Sequence, residues 1–417
     1  MNDTFKFEDI ADIKGRIGWK GLKVSEYINT GYTIVGGLQL NNGNVEWDKC
    51  SCINKERYDE SPEIKIKEND ILISKDGTIG KLGFVKNLPK EATVATGVFI
   101  LRVKDERFIP EYVYYYLNSN KFKTLVKQKI TGSVIPHLYQ RDINKLTIKR
   151  VDLNRQKFII NKLRTIDDKI SNNLNIVKKF EEYLSLIYYK LFIKYDFQDG
   201  KLKSYNKNNI KMKKINGFDI PEKWNLVKLD DLVEEIIDNR GKTPKKLGGD
   251  WVEQGITAIS AKNIKEGKLI NLDKCNKVSE SMYKKWMPIT LQKEDIIMTS
   301  EAPLGEFYFM GKDSQYCLSQ RLYAIRAKRN IIYPSYLYCE MSMQRGLKQI
   351  LGKQSGSTVF GIRQNELRKI MIVLPERDIQ EKFNAIATSI FDKIRLLEKE
   401  NRLLIQLKET LIEREII

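Results

Sequence analysis

Apolar side chains recur at steps of three and four through Leu163, Ile166, Ile170, Val177, Phe180, Leu184, Ile187 and Leu191. The vacancy in this seam is Asn173. Such spacing keeps one face of an α-helix apolar and predicts a coiled-coil helix. A second stripe runs through Phe383, Ile386, Ile390, Ile394, Leu397, Leu404, Leu407 and Leu411, with a polar break at Asn401. A lone helix cannot bury such a face. Two of them in one chain predict an antiparallel pair, in which a buried Asn can fix register at some cost in stability. The competing reading is that each stripe packs only on its own domain.

Elsewhere the pattern is one of short strands punctuated by glycine turns. Asp70-Ile71-Leu72-Ile73-Ser74 and Val98-Phe99-Ile100-Leu101-Arg102-Val103 are strand-like, with Gly77, Gly80 and Gly83 between them. A helix follows Pro110, around residues 111–117, and another follows Pro334, around 335–341.

The two halves repeat one another. A shift of 224 positions places Arg102 on Arg326, Pro110 on Pro334, Tyr112 on Tyr336, Gln140 on Gln364 and Gln156 on Gln380. Over the columns 102–170 there are sixteen identities in sixty-nine, without a gap. A shift of 225 places Asp70-Ile71 on Asp295-Ile296 and Gly80 on Gly305. A unit of this length is a duplicated domain plus helix rather than a solenoid repeat. The fold class expected is therefore α/β (α+β): two mixed domains at 1–150 and 218–374, each followed by a long helix at 151–195 and 375–417. The segment 196–217 reads as a solvated linker rich in Lys, Asn and Gly.

Composition changes the picture toward a polyanionic partner. Among 417 residues there are 73 Lys and Arg against 54 Asp and Glu, a net charge of +19. Nucleic acid is the default partner for such an excess, ahead of an anionic membrane surface. No apolar run is long enough to span a bilayer, and the N-terminal residues lack the pattern of a signal peptide. Five cysteines without a CxxC pair fit reduced thiols in a cytosolic protein. The single histidine, His137, rules out two-His metal sites and HExxH proteases, and as a lone residue reads as a packing or hydrogen-bonding side chain rather than a catalyst.

Catalytic signatures are missing. There is no P-loop, no GxGxxG after a strand, and no Pro-Pro dipeptide of the amino-methyltransferase motif. Glu-x-Lys at Glu63-Ile64-Lys65 and Glu266-Gly267-Lys268 arises easily in a chain that is 30% charged, and the two do not align between copies. The chain is expected to be non-catalytic by itself, with no metal or cofactor of its own.

The remaining polar loops suit recognition. In the first copy the candidates are Arg16, Trp19, Lys20, Lys75, Thr78, Lys81, Thr131, Ser133, His137, Tyr139, Gln140 and Arg141. In the second they are Arg240, Lys242, Lys245, Ser300, Ser319, Gln320, Arg321, Gln354, Ser355, Ser357, Thr358, Arg363 and Gln364. Gln and Arg can contact base edges bidentately, while hydroxyls and cations suit phosphates. The seam residues Ile166, Ile170, Asn173, Val177, Leu184, Ile390, Ile394, Leu397 and Leu404 are expected to hold the helices together and to support partner proteins.

The motif Gly-Ser-x-x-x-x-Leu/Ile-x-Gln, then Asp/Glu-Ile/Leu-x-x-Leu/Ile-x-Ile, then Gln and a long helix, stands at residues 132–156 and again at 356–380. Between the copies lies Gly217-Phe218-Asp219-Ile220-Pro221-Glu222-Lys223-Trp224. Over essentially its whole length the chain resembles the specificity subunit of type I restriction-modification enzymes. That resemblance implies two target recognition domains that each read half of a bipartite DNA sequence. It implies a coiled coil that sets the spacer and binds two modification subunits. Those subunits would supply S-adenosylmethionine and methylate adenine, and restriction subunits would use ATP and Mg to translocate and cleave. The setting implied is bacterial or archaeal cytoplasm and cellular defence. One departure concerns Pro375, which the family places before the helix; the first copy has Val151 there, which predicts a different approach into that helix. The differing loops predict an asymmetric target. The alternative class is a coiled-coil scaffold or an RNA-binding adaptor without sequence-specific DNA readout.

Overall fold

The computed structural model describes residues 3–16, 21–131, 136–198, 204–206, 209–312, 314–356 and 360–417. The chain forms two compact units, Met1–Asn173 with Lys399–Ile417, and Leu174–Glu398.

In the first unit a four-stranded antiparallel sheet has the spatial order Ala11–Gly15, Val98–Val103, Ile71–Ser74, Leu82–Phe84. A three-stranded sheet orders Ser51–Ile53, Tyr32–Val35 and Ala92–Val94. The strand Thr4–Lys6 pairs with Thr147–Lys149. The central strands are apolar runs buried on both faces, the environment that β-branched residues favour. The helix Pro110–Leu117 starts on its proline, where a missing N–H costs nothing.

The second unit repeats this order. Its four strands are Val233–Asp238, Leu322–Ala327, Ile296–Thr299 and Phe307–Phe309. Its three are Lys277–Val278, Ile256–Ile259 and Cys317–Leu318. Asn225–Lys228 pairs with Met371–Leu374, and the helix Pro334–Ser342 again begins on proline. Each copy also has a further helix, Asn120–Thr131 and Gln344–Gly352.

Two polar devices recur at the repeated positions. Asp70 accepts two bonds from Arg102, at 2.7 Å each, and Asp295 accepts two from Arg326, at 2.9 and 2.8 Å. Both carboxylates are buried, so each needs this pairing. Gln156 accepts from the Ile109 N–H and donates to the Val151 carbonyl. Gln380 does the same with Tyr333 and Pro375. The long helices begin at matching positions, Leu153 and Arg377. The expected difference in approach is therefore absent: the buried glutamine, rather than the proline, fixes the turn into each helix.

The first long helix is Leu153–Tyr188, extended by a π-helical turn Tyr189–Ile193; the second is Arg377–Glu415. In the first unit Arg155 pairs with Glu415, Asp167 with Lys408 and Asn173 with Asn401, so residue numbers rise on one helix as they fall on the other. In the second unit Lys393 lies 5.6 Å over the Phe180 ring, and the Tyr188 and Phe383 rings are 6.4 Å apart, again antiparallel. The seam residues named above are buried or half-buried. Two members of the second stripe are not in it: Ile386 and Leu407 are exposed. Buried Ile412 and Ile416 enter the core of the first unit, and Lys408, paired with Asp167, lines the helix pair where the stripe would place Leu407. Each end of the pair also enters a domain core. Ile159, Ile160 and Leu163 join Tyr112 and Ile412 in one, and Leu184, Tyr188 and Phe383 join Trp224 and Tyr336 in the other.

The segment read as a solvated linker is partly structured. Phe197, like Tyr195 just before the segment, is buried against Trp224, and Met212–Ile215 pairs with Phe218–Pro221. Burial of Phe197 ties down that stretch despite the Lys and Asn around it.

Candidate nucleic-acid interface

Three loops meet at the same place in each unit. In the first, the loop after Ile71–Ser74 is closed by a 2.8 Å bond from Gly80 N to the Ser74 carbonyl and by Lys81 N to Ser74 Oγ, also 2.8 Å. Lys75 N then donates to Gly97 O, and Leu138 N to Lys75 O. In the second, Gly305 N donates to Thr299 O, and Glu306 N to Thr299 Oγ1 at 2.9 Å. Ser300 N donates to Arg321 O, and Ile362 N to Ser300 O. The turn residues Gly77 and Ala302 both have positive φ, 67° and 45°. One backbone frame is thus built twice from Ser or Thr and main-chain bonds, leaving the side chains at its tips free to differ.

In the first unit the frame gathers Lys75, Thr78, His137, Tyr139, Gln140 and Arg141. The His137 ring binds Asp76 through Nδ1 and lies 4.4 Å from the Tyr139 ring, over which Arg141 stands at 4.9 Å. Tyr139, Gln140 and Arg141 are exposed and border an open depression. Lys75 is half-buried, its amine 4.7 Å over the Phe99 ring. Lys81 turns toward Asn41 instead, 3.5 Å away. Arg16 is not at a surface. It is 1% exposed, donates to Val94 O at 3.2 Å, and lies near Glu60. Burial and the neighbouring Arg57 lower its pKa, against the opposing pull of Glu60. Trp19, Lys20 and Ser133 lie outside the described residues, as does the side chain of Thr131, which ends a helix.

In the second unit Ser319, Gln320 and Arg321 border a polar cleft of about 450 Å³ with Trp251, Lys262 and Asn276. Arg321 pairs with Glu301 at 3.2 Å. Gln354, Ser355 and Arg363 are exposed, and Ser355 exchanges main-chain bonds with Gly361, which bridges to Glu301. Lys245 is exposed in a short turn. Three expected contacts serve the fold. Ser300 is fully buried; Gln364 donates to the Ile236 carbonyl at 3.0 Å; Lys242 is tied to Asn239 and the Trp286 carbonyl. Arg240 is held by Asp238 and lies 4.2 Å over the Tyr323 ring. Ser357 and Thr358 lie outside the described residues.

Sequence reasoning missed Asp76, Glu301, Trp251, Lys262 and Asn276. The acids were passed over in a search for cations, although the repeat places Asp76 on Glu301 at a shift of 225. Trp251 and Asn276 carried no local signal, since only the fold brings them to the cleft.

The architecture is a duplication: two domains of one plan, each with a polar loop cluster and a share of a helix pair. The chain matches the family model of the type I restriction modification DNA specificity domain over residues 2–182 and 221–407, and it belongs to that family. It is 24% identical over 343 residues to the type I restriction enzyme MjaVIII specificity subunit of Methanocaldococcus jannaschii, covering 81% of this chain and 76% of that one. It is 21% identical to the HindI specificity subunit of Haemophilus influenzae, covering 90% and 92%. The crystal structure of an S subunit from M. genitalium shares the fold, with a TM-score of 0.54 at 14% identity over 99% of this chain and 96% of that one. Among the described residues no helix is long and apolar enough to cross a membrane.

Proposed function

We propose that this chain is the sequence-reading subunit of a type I restriction-modification complex, and that its two domains each read one half of a split, asymmetric double-stranded DNA target. The observation that carries this reading is the loop frame, built twice with the same backbone bonds and furnished with different side chains. The net charge of +19 supplies the attraction to phosphate that holds DNA against both readers. In the first domain Lys75, Thr78, Tyr139, Gln140 and Arg141 are the proposed contacts. In the second they are Lys245, Ser319, Gln320, Arg321, Gln354, Ser355 and Arg363. The domains are those at 1–150 and 218–374.

The helix pair is the proposed seat of two modification subunits. Its outer faces leave Phe158, Leu403 and Leu407 exposed in the first unit, and Tyr183, Leu186 and Leu396 in the second. Adenine methylation with S-adenosylmethionine, and ATP- and Mg-dependent cleavage by restriction subunits, then belong to partners, and this chain catalyses neither. A cytoplasmic setting follows from that role.

The test is a base-resolved methylation map of host DNA with and without the gene, its natural neighbours intact. Loss of adenine methylation at one two-part sequence is the expected result. An unchanged map in cells that express the whole complex overturns the reading in favour of a scaffold or RNA adaptor.

A further inference from the structure

The tip of the duplicated loop frame carries a carboxylate in both copies. Asp76 and Glu301 follow equivalent strands at a shift of 225, each just before the positive-φ residue of the turn. Each forms an isolated main-chain bridge to the loop opposite, Asp76 to His137 and Glu301 to Gly361. Each is paired with a cationic or protonatable side chain, but the partner comes from a different element. Asp76 pairs with His137, before the helix Gln140–Asn144, while Glu301 pairs with Arg321, before the strand Leu322–Ala327. At the swapped positions stand Gly361 and Gly97, so neither copy holds both partners.

Stability does not account for this. All four side chains are about one-third to one-half exposed, and exposed pairs add little to stability. Nor does phosphate attraction account for it, since a carboxylate repels phosphate. What a carboxylate amid cationic loops can do is accept a hydrogen bond from a base. In the major groove the amino groups of cytosine N4 and adenine N6 are the donors within its chemistry. The neighbouring His or Arg gives the acid a hydrogen-bonding partner while DNA is absent, and can itself donate to an acceptor on the next base.

Resting on the DNA-reading function above, we propose that Asp76 and Glu301 are specificity-determining residues. Each accepts a hydrogen bond from the exocyclic amino group of a cytosine or adenine, one in each half of the target.

The test uses the chain assembled with its modification subunits, carrying Asp76→Ala or Glu301→Ala. Methylation rates are measured on duplexes that differ from the mapped target at one base pair at a time. Each variant should lose roughly ten- to hundredfold of preference at one base pair. That base pair should lie in one half for Asp76→Ala and in the other for Glu301→Ala. Affinity for an unrelated duplex at low salt should be unchanged or higher, because a negative charge has gone. Unaltered preference at every base pair overturns the proposal. So does a fall in affinity for the unrelated duplex, which marks the carboxylate as a prop for its loop. If the unmutated complex marks no split sequence, the failure lies in the reading beneath, and the proposal falls with it.

Discussion

Asn173 Nδ2 donates to Asn401 Oδ1 across 2.9 Å in the seam of the helix pair, and both side chains are buried. A second bond from the same nitrogen reaches Glu400 at 2.7 Å. The pair spans the two polar vacancies of the apolar stripes, so one register satisfies both, and a slip of either helix leaves amides facing leucine.

Asn173→Ala should lower the unfolding free energy by about 1–3 kcal/mol, since it strips Asn401 of a buried donor. Replacing both residues with Leu should recover or exceed the original stability while loosening register. A double-mutant cycle by denaturant titration reads the coupling. Strictly additive effects would mean that the two amides do not depend on each other.

The repeated Asp–Arg pair gives a graded result. Asp295→Ala strands Arg326, whose side chain is 11% exposed, whereas Asp70→Ala strands Arg102, at 35%. Removing one partner of a buried pair costs about 3–5 kcal/mol. The Asp295 variant should approach that loss, and the Asp70 variant should lose less because water reaches its arginine. Equal losses in chemical denaturation would contradict this order.

Burial pushes the Cys317 thiol up to about 12 and the Cys50 thiol up to about 11. The thiolate is the reactive form, so a raised pKa means slow alkylation at pH 8 that quickens only as the pH climbs toward those values. At Cys50, raised from 9.0 to about 11, the thiolate fraction is about a hundredfold below that of an unburied thiol. Timed iodoacetamide labelling with peptide mass spectrometry should find both sites slow in the folded chain and fast in denaturant. Rapid native labelling of Cys317 would show that the site opens.

DNA binding should weaken steeply with salt, with a logarithmic slope of about 0.9 per phosphate neutralised. Arg141→Ala and Arg363→Ala should each lower that slope if the exposed guanidinium sits on phosphate, and relax one base pair if it sits on a base edge. A flat titration would count against DNA altogether. Replacing residues 1–150 with the corresponding domain of another family member should change one half of the target. A change in both halves would refute modular reading.

Much of the fold could be read from the chain because the signals were periodic and doubled. The stripes of residues 163–191 and 383–411 give the helix pair, and the identities around Arg102 and Arg326 give the duplication. What escaped was of another kind. The helix Asn120–Thr131 has only four apolar residues among eight polar ones, and shows itself only when packed. Leu407 fits a heptad on paper, yet at this end the buried face runs through Lys408 and Ile412 into the domain core and leaves it outside. At the candidate interface, composition marked out cations and hydroxyls, and about half of those sit where a ligand can reach them. Arg16, Ser300 and Gln364 had the right chemistry for DNA but are spent on the interior, and no local pattern separates a buried guanidinium from an exposed one.

The loop frame has a consequence for how such a chain changes over time. Its closure depends on Ser74 or Thr299 and on main-chain bonds, none of which involves the side chains at positions 76, 97, 137, 301, 321 and 361. Substitution at 76, 97, 137, 301 and 321 leaves the frame's own bonding intact, whereas a side chain at Gly361 would press on the Ser300 carbonyl. A glycine can be traded for an arginine on one loop while a histidine is lost from another. The cost of acquiring a new target is then paid in contacts with DNA rather than in folding, and the two copies can drift apart without endangering each other.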